Sequence, residues 1–543
     1  MRQVLILFSA FLLASCNIQK EEVDLIIHNG SIHTLDQSSS VVQAIAIKDG
    51  RIIELGPERA ILNRYKAAEQ IDLKLRPVYP GFIDAHCHFL AYGRGQAELD
   101  LTGTTSWEEI LNRLAQIKEP EAGQWIKGRG WDQNDWDLQA FPSKLALDSM
   151  FPNNPVLLTR IDGHAIIVNQ SALDLAGIDA NSFVEGGQVV LENGAPSGML
   201  IDKAMNLIDD HLAKEAFEQD REALLKAQSD CFQVGLTTVS DAGLLKSDLE
   251  TIQELYAQGD LKMRMYVMLS DVQENIDYYL PRGPIKTDQL SVCSFKFYAD
   301  GALGSRGACL FKPYSDLPNH TGFLLDSLSH FRQRAQEMYD AGFQMNTHCI
   351  GDSANHEILA IYASILEPNN DRRWRIEHAQ VLRKDDRQFF SAFNIIPSVQ
   401  PTHATSDMPW AELRLGRNRM RRAYAYQSLK QELGLLALGT DFPVEGINPL
   451  STFYAAVSRT DSKGQPEGGF IPEEKLTREE ALRGMTIWAA IANFEEESKG
   501  SLEEGKLADL VVLDRDLLTC ADSLILETEV DFTILGGEVV YRK

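Results

Sequence analysis

The stretch GFIDAHCH, residues 81–88, decides the fold of this chain. Its first five residues are small or apolar apart from Asp84, and they predict a short buried strand. Residues two apart on a strand face the same side, so His86 and His88 are expected to point together towards one metal ion. Taken alone, this pair is weak evidence for a metal site. Two histidines with a purely structural role remain the alternative.

Seven further segments have the composition of strands and alternate with helix-like stretches such as 330–341 and 385–393. These segments cover residues 236–240, 263–269, 294–299, 344–347, 373–377, 395–399 and 435–439. Eight strands with helical crossovers predict an α/β fold, a (β/α)8 TIM-like barrel. About 150 residues separate the first strand from the second, so we expect an insertion there, at about residues 100–230.

Both ends of the chain are rich in short strands. Residues 23–78 alternate apolar strands with the turn dipeptides Asn29-Gly30 and Asp49-Gly50, and residues 501–543 show the same pattern around Gly536-Gly537. We therefore expect one small β-sandwich built from 23–78 and 501–543, with the barrel and its insertion occupying residues 79–500.

The first sixteen residues are typical of a cleaved signal peptide. A short basic start precedes an apolar run, residues 4–13, that is too short to span a bilayer. The ending Leu13-Ala14-Ser15-Cys16 resembles a bacterial lipobox, which implies lipidation of Cys16, a membrane tether and a periplasmic or outer-membrane location. A plain secretory signal with an incidental cysteine is the alternative.

Composition excludes several classes of protein. The chain has 543 residues, 44% of them hydrophobic, as in soluble globular proteins. It carries 52 basic and 78 acidic residues, a net charge of −26, without the basic run of a generic nucleic-acid binder, so no nucleic-acid partner is expected. Six cysteines besides Cys16 form neither a CxxC motif nor a dense disulfide framework.

Polar residues end several of the predicted strands. His348, His378 and Asp441 each follow a different strand, as His86 and His88 follow the first. In (β/α)8 barrels the active site lies at the carboxyl ends of the strands. Imidazole and carboxylate ligands suit zinc, with manganese, iron or nickel as alternatives. The sequence therefore predicts a divalent metal site at this end of the barrel.

Lys296 lies inside a strand-like run and shares a strand face with Tyr298 and Asp300. A buried lysine is costly unless it is paired or modified. It is either bonded to an internal carboxylate or carboxylated by CO₂ to a carbamate that bridges two metal ions.

In combination these segments resemble the amidohydrolase superfamily, specifically its YtcJ-like (amidohydrolase 3) branch. The likeness runs from about residue 23 to the end of the chain. Its motifs appear in order as PGFIDAHCH (80–88), Lys296 with DGALGS (300–305), NTHCIGD (346–352), RIEH (375–378), GTDFP (439–443) and GSLEEGKLADL (500–510).

The resemblance implies one or two metal ions, with zinc as the first expectation. It assigns the ligands in two sets joined by a carboxylated Lys296: His86, His88 and Asp441 for one ion, and His348 with His378 for the other. Asp84, Asp300 and Asp352, which also lie near strand ends, are expected to orient ligands.

The chemistry of metal-activated water indicates roles in catalysis. Asp441 is expected to take a proton from metal-activated water and pass it to the leaving nitrogen, and His403 to polarise the carbonyl. His164, Trp131 and Asp132, together with His403, are the candidates for substrate binding. For His164 and His403 a supporting role is the alternative; for Trp131 it is packing in the small core of the insertion.

These features predict an enzyme, a metal-dependent hydrolase of carbon–nitrogen bonds other than peptide bonds, acting on a small amide-type substrate. Ester or phosphoester hydrolysis at the same site is one alternative. A catalytically inactive binding lipoprotein is another, against which the complete ligand set speaks. The chain is compatible with a homo-oligomer, and the substrate itself stays open.

Overall fold

A computed structural model describes residues 20–118, 120–209, 211–212 and 217–543. The predicted signal peptide, lipobox and Cys16 lie outside these described residues. Within the described ranges, no helix combines the length and the apolar character that crossing a bilayer requires.

Eight parallel strands form the barrel, and each lies where the sequence predicts one, so the predicted (β/α)8 fold is confirmed. They are β1 (Phe82–Cys87), β2 (Leu236–Leu244), β3 (Arg264–Ser270), β4 (Leu290–Tyr298), β5 (Gln344–His348), β6 (Arg375–Glu377), β7 (Ile396–Val399) and β8 (Ala437–Leu438). Each strand pairs with its neighbours in chain order, and Ile285–Lys286 pairs antiparallel with β4.

Individual hydrogen bonds from the residues that follow β8, rather than a strand ladder, join β8 to β1. The backbone N–H and the hydroxyl of Thr440 donate to the Asp84 carboxylate, at 3.1 and 2.7 Å. The N–H of Asp441 donates to the carbonyl of His86 at 2.8 Å. Gly439 allows this approach, since a Cβ there would lie only 2.6 Å from the backbone nitrogen of His86. The closure of the barrel therefore sets Asp441 beside His86.

Helices follow the strands of the barrel. They are Phe89–Gly95, Phe217–Gln233, Lys246–Gln258, Gln273–Tyr279, Leu328–Ala341, Asp352–Ile365, Gln388–Ala392, Pro401–Asp407, Ala411–Met420, Tyr426–Leu433, Pro449–Ser458, Arg478–Gly484 and Ile487–Ala492. The predicted helix 330–341 is found as Leu328–Ala341. The Ser327 hydroxyl caps its start by accepting from the His330 N–H, and Gly342, with a φ of 79°, ends it.

The insertion after β1 is a six-stranded sheet with its own apolar core. Its strands are Leu99–Asp100, Ile126–Trp131, Val156–Arg160, Ala165–Val168, Gly187–Glu192 and Ala195–Asp202. The helices Trp107–Leu114, Leu145–Met150, Gln170–Ala176 and Asn206–Asp209 accompany it. The following helix, Phe217–Gln233, packs on Phe89–Gly95 of the barrel.

The two ends of the chain form the predicted sandwich of two sheets. One sheet contains Glu21–His28, Ala44–Lys48, Arg51–Gly56 and Tyr65–Asp72, with the helix Glu58–Arg64 beside it. The other contains Ser31–His33, Val41–Val42, Pro77–Pro80, Leu510–Leu513, Val530–Leu535 and Glu538–Arg542. Ile27 and Ile45 of the first sheet share one apolar cluster with Leu510 and Ile534 of the second.

Candidate metal centre

The carboxyl ends of the barrel strands surround a cavity of about 200 Å³. Eight of the site residues predicted from the sequence line it: His88, Asp132, His164, Lys296, His348, His378, His403 and Asp441. His86 lies behind them and is fully buried. The structure therefore brings all the predicted metal ligands to one place.

One candidate ligand group consists of His86, His88 and Asp441, whose ligand atoms all lie within 4.8 Å of one another. The Asp441 Oδ1 atom is 3.2 Å from His88 Nε2 and 3.6 Å from His86 Nε2. Cys87, between the two histidines, turns away and directs its Sγ at the Ser240 carbonyl. Strand alternation thus places both imidazoles on the side of the cavity, as the sequence predicts.

A second candidate group consists of His378, His403 and Asp441. His403 Nε2 lies 3.5 Å from Asp441 Oδ2, so the two oxygens of this carboxylate face different histidines. The family resemblance joins His378 with His348 instead. The ring centres of His348 and His378 are 4.6 Å apart. His348 therefore lies close enough to His378 to share an ion with it, as does His403.

Two buried side chains hold the inner histidines in place. His86 Nδ1 is 2.6 Å from Glu377 Oε2, and His378 Nδ1 is 2.7 Å from Gln400 Oε1. An Nδ1–H donated to these oxygens leaves each Nε2 lone pair free for a metal. Neither Glu377 nor Gln400 was predicted as a site residue, although a carboxylate directly before His378 was a signal for Glu377.

Unpartnered buried atoms show that the site fits a cation. Asp441 Oδ1, His348 Nε2 and His403 Nε2 are buried and have no hydrogen-bond partner among the described residues. Burial, with the neighbouring His378, lowers the pKa of His348 well below its usual value. Burial alone would raise the pKa of Asp441, but His86 and His88 hold it well below the usual range. Neutral imidazoles and an ionised carboxylate are the forms that bind a divalent metal.

Lys296 projects into the same site and is 1% exposed. Its Nζ lies 3.1 Å from His86 Nε2 and 4.8 Å from the centre of the Tyr298 ring. Burial lowers the pKa of Lys296 to about 8. No carboxylate in the described part of the chain forms an ion pair with it, so the alternative of a lysine bonded to an internal carboxylate has no partner there.

The insertion supplies one wall of the cavity through His164 and Asp132. His164 Nδ1 pairs with Asp202 Oδ1 at 2.8 Å, and the Asp132 carboxylate accepts a hydrogen bond from the Arg160 guanidinium. Trp131 does not reach the cavity. It is fully buried in the core of the insertion, and its indole N–H donates to the Leu158 carbonyl at 2.9 Å.

Asp300 holds two loops of the barrel together beside His348. Its carboxylate accepts hydrogen bonds from the backbone N–H groups of Cys309, Ile350 and Gly351, at 2.8 to 3.0 Å. Burial raises the pKa of Asp300 to about 7. The carboxylate therefore orients the backbone around the site, and it lies 3.9 Å from His348 Nε2.

Several cavity residues were not predicted as site residues. Arg160, Asp162, Asp407, Trp410 and Glu445 also line the cavity, and three of the five are acidic. Burial raises the pKa of Asp407 to about 7, and its Oδ2 accepts hydrogen bonds from Tyr424 and Gln380. Asp407 and Trp410 follow β7 without a motif, so the sequence offered no signal for them.

The barrel and its two ligand groups define a metal-dependent hydrolase. The chain belongs to the amidohydrolase family, since the model for the "Amidohydrolase family" matches residues 69–541.

Individual relatives agree with this assignment. The putative amidohydrolase YtcJ of Bacillus subtilis (strain 168) is 32% identical, covering 95% of this chain and 99% of that protein. The N-substituted formamide deformylase of Arthrobacter pascens is 28% identical, covering 96% and 98%. The crystal structure of an uncharacterized metal-dependent hydrolase from Pyrococcus horikoshii OT3 has a TM-score of 0.75 and 26% identity, covering 92% and 99%.

Proposed function

We propose that this protein hydrolyses the carbon–nitrogen bond of small non-peptide amides, and that N-substituted formamides are the first substrates to test. The observation that carries the proposal is the Asp441 carboxylate, which has two histidines beside one oxygen and His403 beside the other. The full-length similarity to an N-substituted formamide deformylase supports the choice of a carbon–nitrogen bond. A cavity of about 200 Å³ suits a small molecule.

The donor set suits a divalent metal, with zinc as the first choice. His86, His88 and Asp441 would hold one ion, and His378 would hold a second with His403 or His348. When bound, such an ion lowers the pKa of water towards neutrality and polarises a carbonyl oxygen.

Side chains of the protein transfer the proton of the attacking water and bind the substrate. Asp441 takes a proton from the attacking water as the new carbon–oxygen bond forms, and gives it to the nitrogen as the carbon–nitrogen bond breaks. The products are an amine and a carboxylic acid. With His348 as the partner of His378 at the second ion, His403 Nε2, 3.5 Å from Asp441 Oδ2, donates a hydrogen bond to the carbonyl oxygen as negative charge develops there. His164 and Asp132 bind the rest of the substrate from the wall of the insertion.

We also propose that Lys296 is carboxylated. Its neutral Nζ attacks CO₂: a nitrogen–carbon bond forms, one carbon–oxygen π bond opens to an oxyanion, and the nitrogen loses a proton to water. The two oxygens of the resulting carbamate would be available to divalent metal ions. The burial of Lys296, its lack of a carboxylate partner among the described residues and its place 3.1 Å from His86 Nε2 support this. A crystal structure of metal-loaded protein should show the extra atoms, and an unmodified lysine would contradict the proposal.

We propose further that Cys16 is lipidated and tethers the enzyme to the periplasmic or outer-membrane surface. The lipobox-like sequence 13–16 supports this proposal. Radiolabelled palmitate should label the full chain but not a Cys16→Ser variant, and that variant should leave the membrane fraction. Equal labelling or equal membrane association of both would contradict it.

A substrate panel tests the proposed activity. Purified metal-loaded protein should release amine from N-substituted formamides or acetamides, and His86→Ala and Asp441→Asn should abolish the release. His28→Ala, in the terminal sandwich, is the matched control and should leave activity unchanged. Turnover of matched esters or phosphoesters without turnover of any amide would favour the ester or phosphoester alternative. Bound metal with no turnover of any substrate would favour an inactive binding protein.

A further inference from the structure

A second cavity lies between the loop 311–315 and the segment 415–422 and has a volume of about 770 Å³. None of its lining residues lines the catalytic cavity. Five basic side chains face it: Lys312, Arg383, Arg417, Arg419 and Arg422. Among the described residues that line it, Asp352 is the single carboxylate. Such a concentration of positive charge is unexpected in a chain with a net charge of −26.

Most of this positive charge lacks a close anionic partner. The Arg419 guanidinium donates to the carbonyls of Lys312 and Pro313, at 2.7 and 2.8 Å, and no carboxylate in the described part of the chain forms an ion pair with it. Arg417 and Arg383 approach Glu412 and Asp386 only at 3.8 and 3.9 Å.

The two remaining cations, Lys312 and Arg422, have fewer polar contacts than the other three. Within the described ranges, the side chains of Lys312 and Arg422 form no hydrogen bond and no ion pair. Arg422 is partly buried, whereas the adjacent Arg421 is exposed and does not line the cavity. The cavity therefore holds cations without an anionic partner among the described residues.

The backbone is shaped to form this cavity. Gly416, with a φ of 70°, interrupts the helix Ala411–Met420, and a Cβ there would lie 2.7 Å from the Ser315 hydroxyl. Because Gly416 has no side chain, the segment 415–422 can pack closely against the loop 311–315. Phe311, 45% exposed, forms an apolar edge, and the Arg383 guanidinium lies 4.8 Å from the centre of its ring.

We propose that this arginine cleft binds an anion that carries phosphate groups with at least two negative charges. Guanidinium groups donate paired hydrogen bonds to phosphate oxygens, and several of them converge on one concave surface here. Arg422 and Lys312 supply the free donors, while Arg419, fixed by the loop carbonyls, adds charge to the wall. The exposed Phe311 ring provides a flat surface for an apolar part of the same ligand.

Calorimetric titration with pyrophosphate at constant ionic strength tests the proposal on the full-length, metal-loaded protein. We expect saturable binding at one site per chain. Loss of a charged hydrogen bond should weaken binding by about tenfold or more in Arg422→Gln, and Lys312→Gln should act in the same direction. Arg421→Gln, the matched control with the same change of charge, should bind within about twofold of the wild type.

Three results would overturn the proposal. One is the absence of saturable binding to the wild type. Another is equal weakening by Arg422→Gln and Arg421→Gln, which would mean a response to net charge alone. The third is binding that survives both cleft substitutions and disappears when the metal is removed, since that would place pyrophosphate at the metal centre. Thermal unfolding and hydrolytic activity of each variant check that it is folded.

Discussion

The Nδ1 atom of His86 lies 2.6 Å from Oε2 of Glu377, and neither side chain is exposed to solvent. Burial alone would raise the pKa of Glu377, but His86 and the neighbouring Arg375 hold it below its usual value, so the carboxylate stays ionised. An ionised acceptor fixes the ring of His86 with Nε2 towards Asp441. This pair connects the interior of the barrel to the proposed metal ligands.

Replacing Glu377 by Gln should weaken the metal site without removing a ligand. The amide can still accept the His86 N–H but lacks the charge, so metal affinity or kcat should fall by about 10- to 100-fold. Metal titration and steady-state kinetics measure this. Glu367→Gln, the same change at an exposed position, is the control. Unchanged metal affinity and kcat in Glu377→Gln would contradict the role given to this carboxylate.

Gly439 should tolerate no side chain, because the end of β8 packs directly on the end of β1. A Cβ at this position would lie 2.6 Å from the backbone nitrogen of His86 and 2.8 Å from Asp84 Oδ1. We expect Gly439→Ala to lower the free energy of unfolding by about 1–3 kcal/mol and to reduce metal binding.

Gly95→Ala, where a Cβ meets nothing within 4 Å, is the control for this substitution. Chemical denaturation and metal analysis of both variants give the comparison. A Gly439→Ala protein as stable as Gly95→Ala, with full metal content, would show that Asp441 does not depend on this close approach.

Trp131 and Asp132 are adjacent in sequence but should behave differently. Trp131→Phe loses the hydrogen bond to the Leu158 carbonyl, so it should cost about 1–3 kcal/mol of stability and leave KM unchanged. Asp132→Asn alters the wall of the cavity, so KM should rise. Denaturation and kinetics on both variants measure this. A raised KM for Trp131→Phe alone would reverse the two assignments.

Metal binding should stabilise the folded protein, because an unfolded chain offers no preformed site. Adding zinc to chelator-treated protein at about 100 times its dissociation constant should stabilise it by about 2.7 kcal/mol. Differential scanning calorimetry measures the corresponding rise in Tm. His88→Ala, which loses one ligand, should show a smaller rise at the same zinc concentration. Identical rises in both proteins would place the zinc elsewhere.

The sequence predicted the barrel well because its strands are short apolar runs that end in polar residues. Each of the eight strands was found, since burial inside a parallel barrel produces this local pattern. The positions of the metal ligands at the strand ends follow from the same pattern.

Features that depend on contacts between distant strands were not predictable. Glu377 looks like an ordinary strand residue until folding brings His86, 291 residues away, against it. Trp131 and Asp132 are adjacent in sequence, and only packing of the insertion shows which of them reaches the cavity. The net charge gave no indication of the arginine cleft, because a local excess of positive charge disappears in the total.

The most direct test of the central claim is the metal dependence of amine release from an N-substituted formamide. Purified protein should contain stoichiometric divalent metal, lose turnover on chelation, and regain it when the metal returns; Asp441→Asn should bind metal more weakly and release no amine. Turnover that persists in metal-free protein, or that Asp441→Asn retains in full, would contradict a metal-dependent amide hydrolase built on this carboxylate.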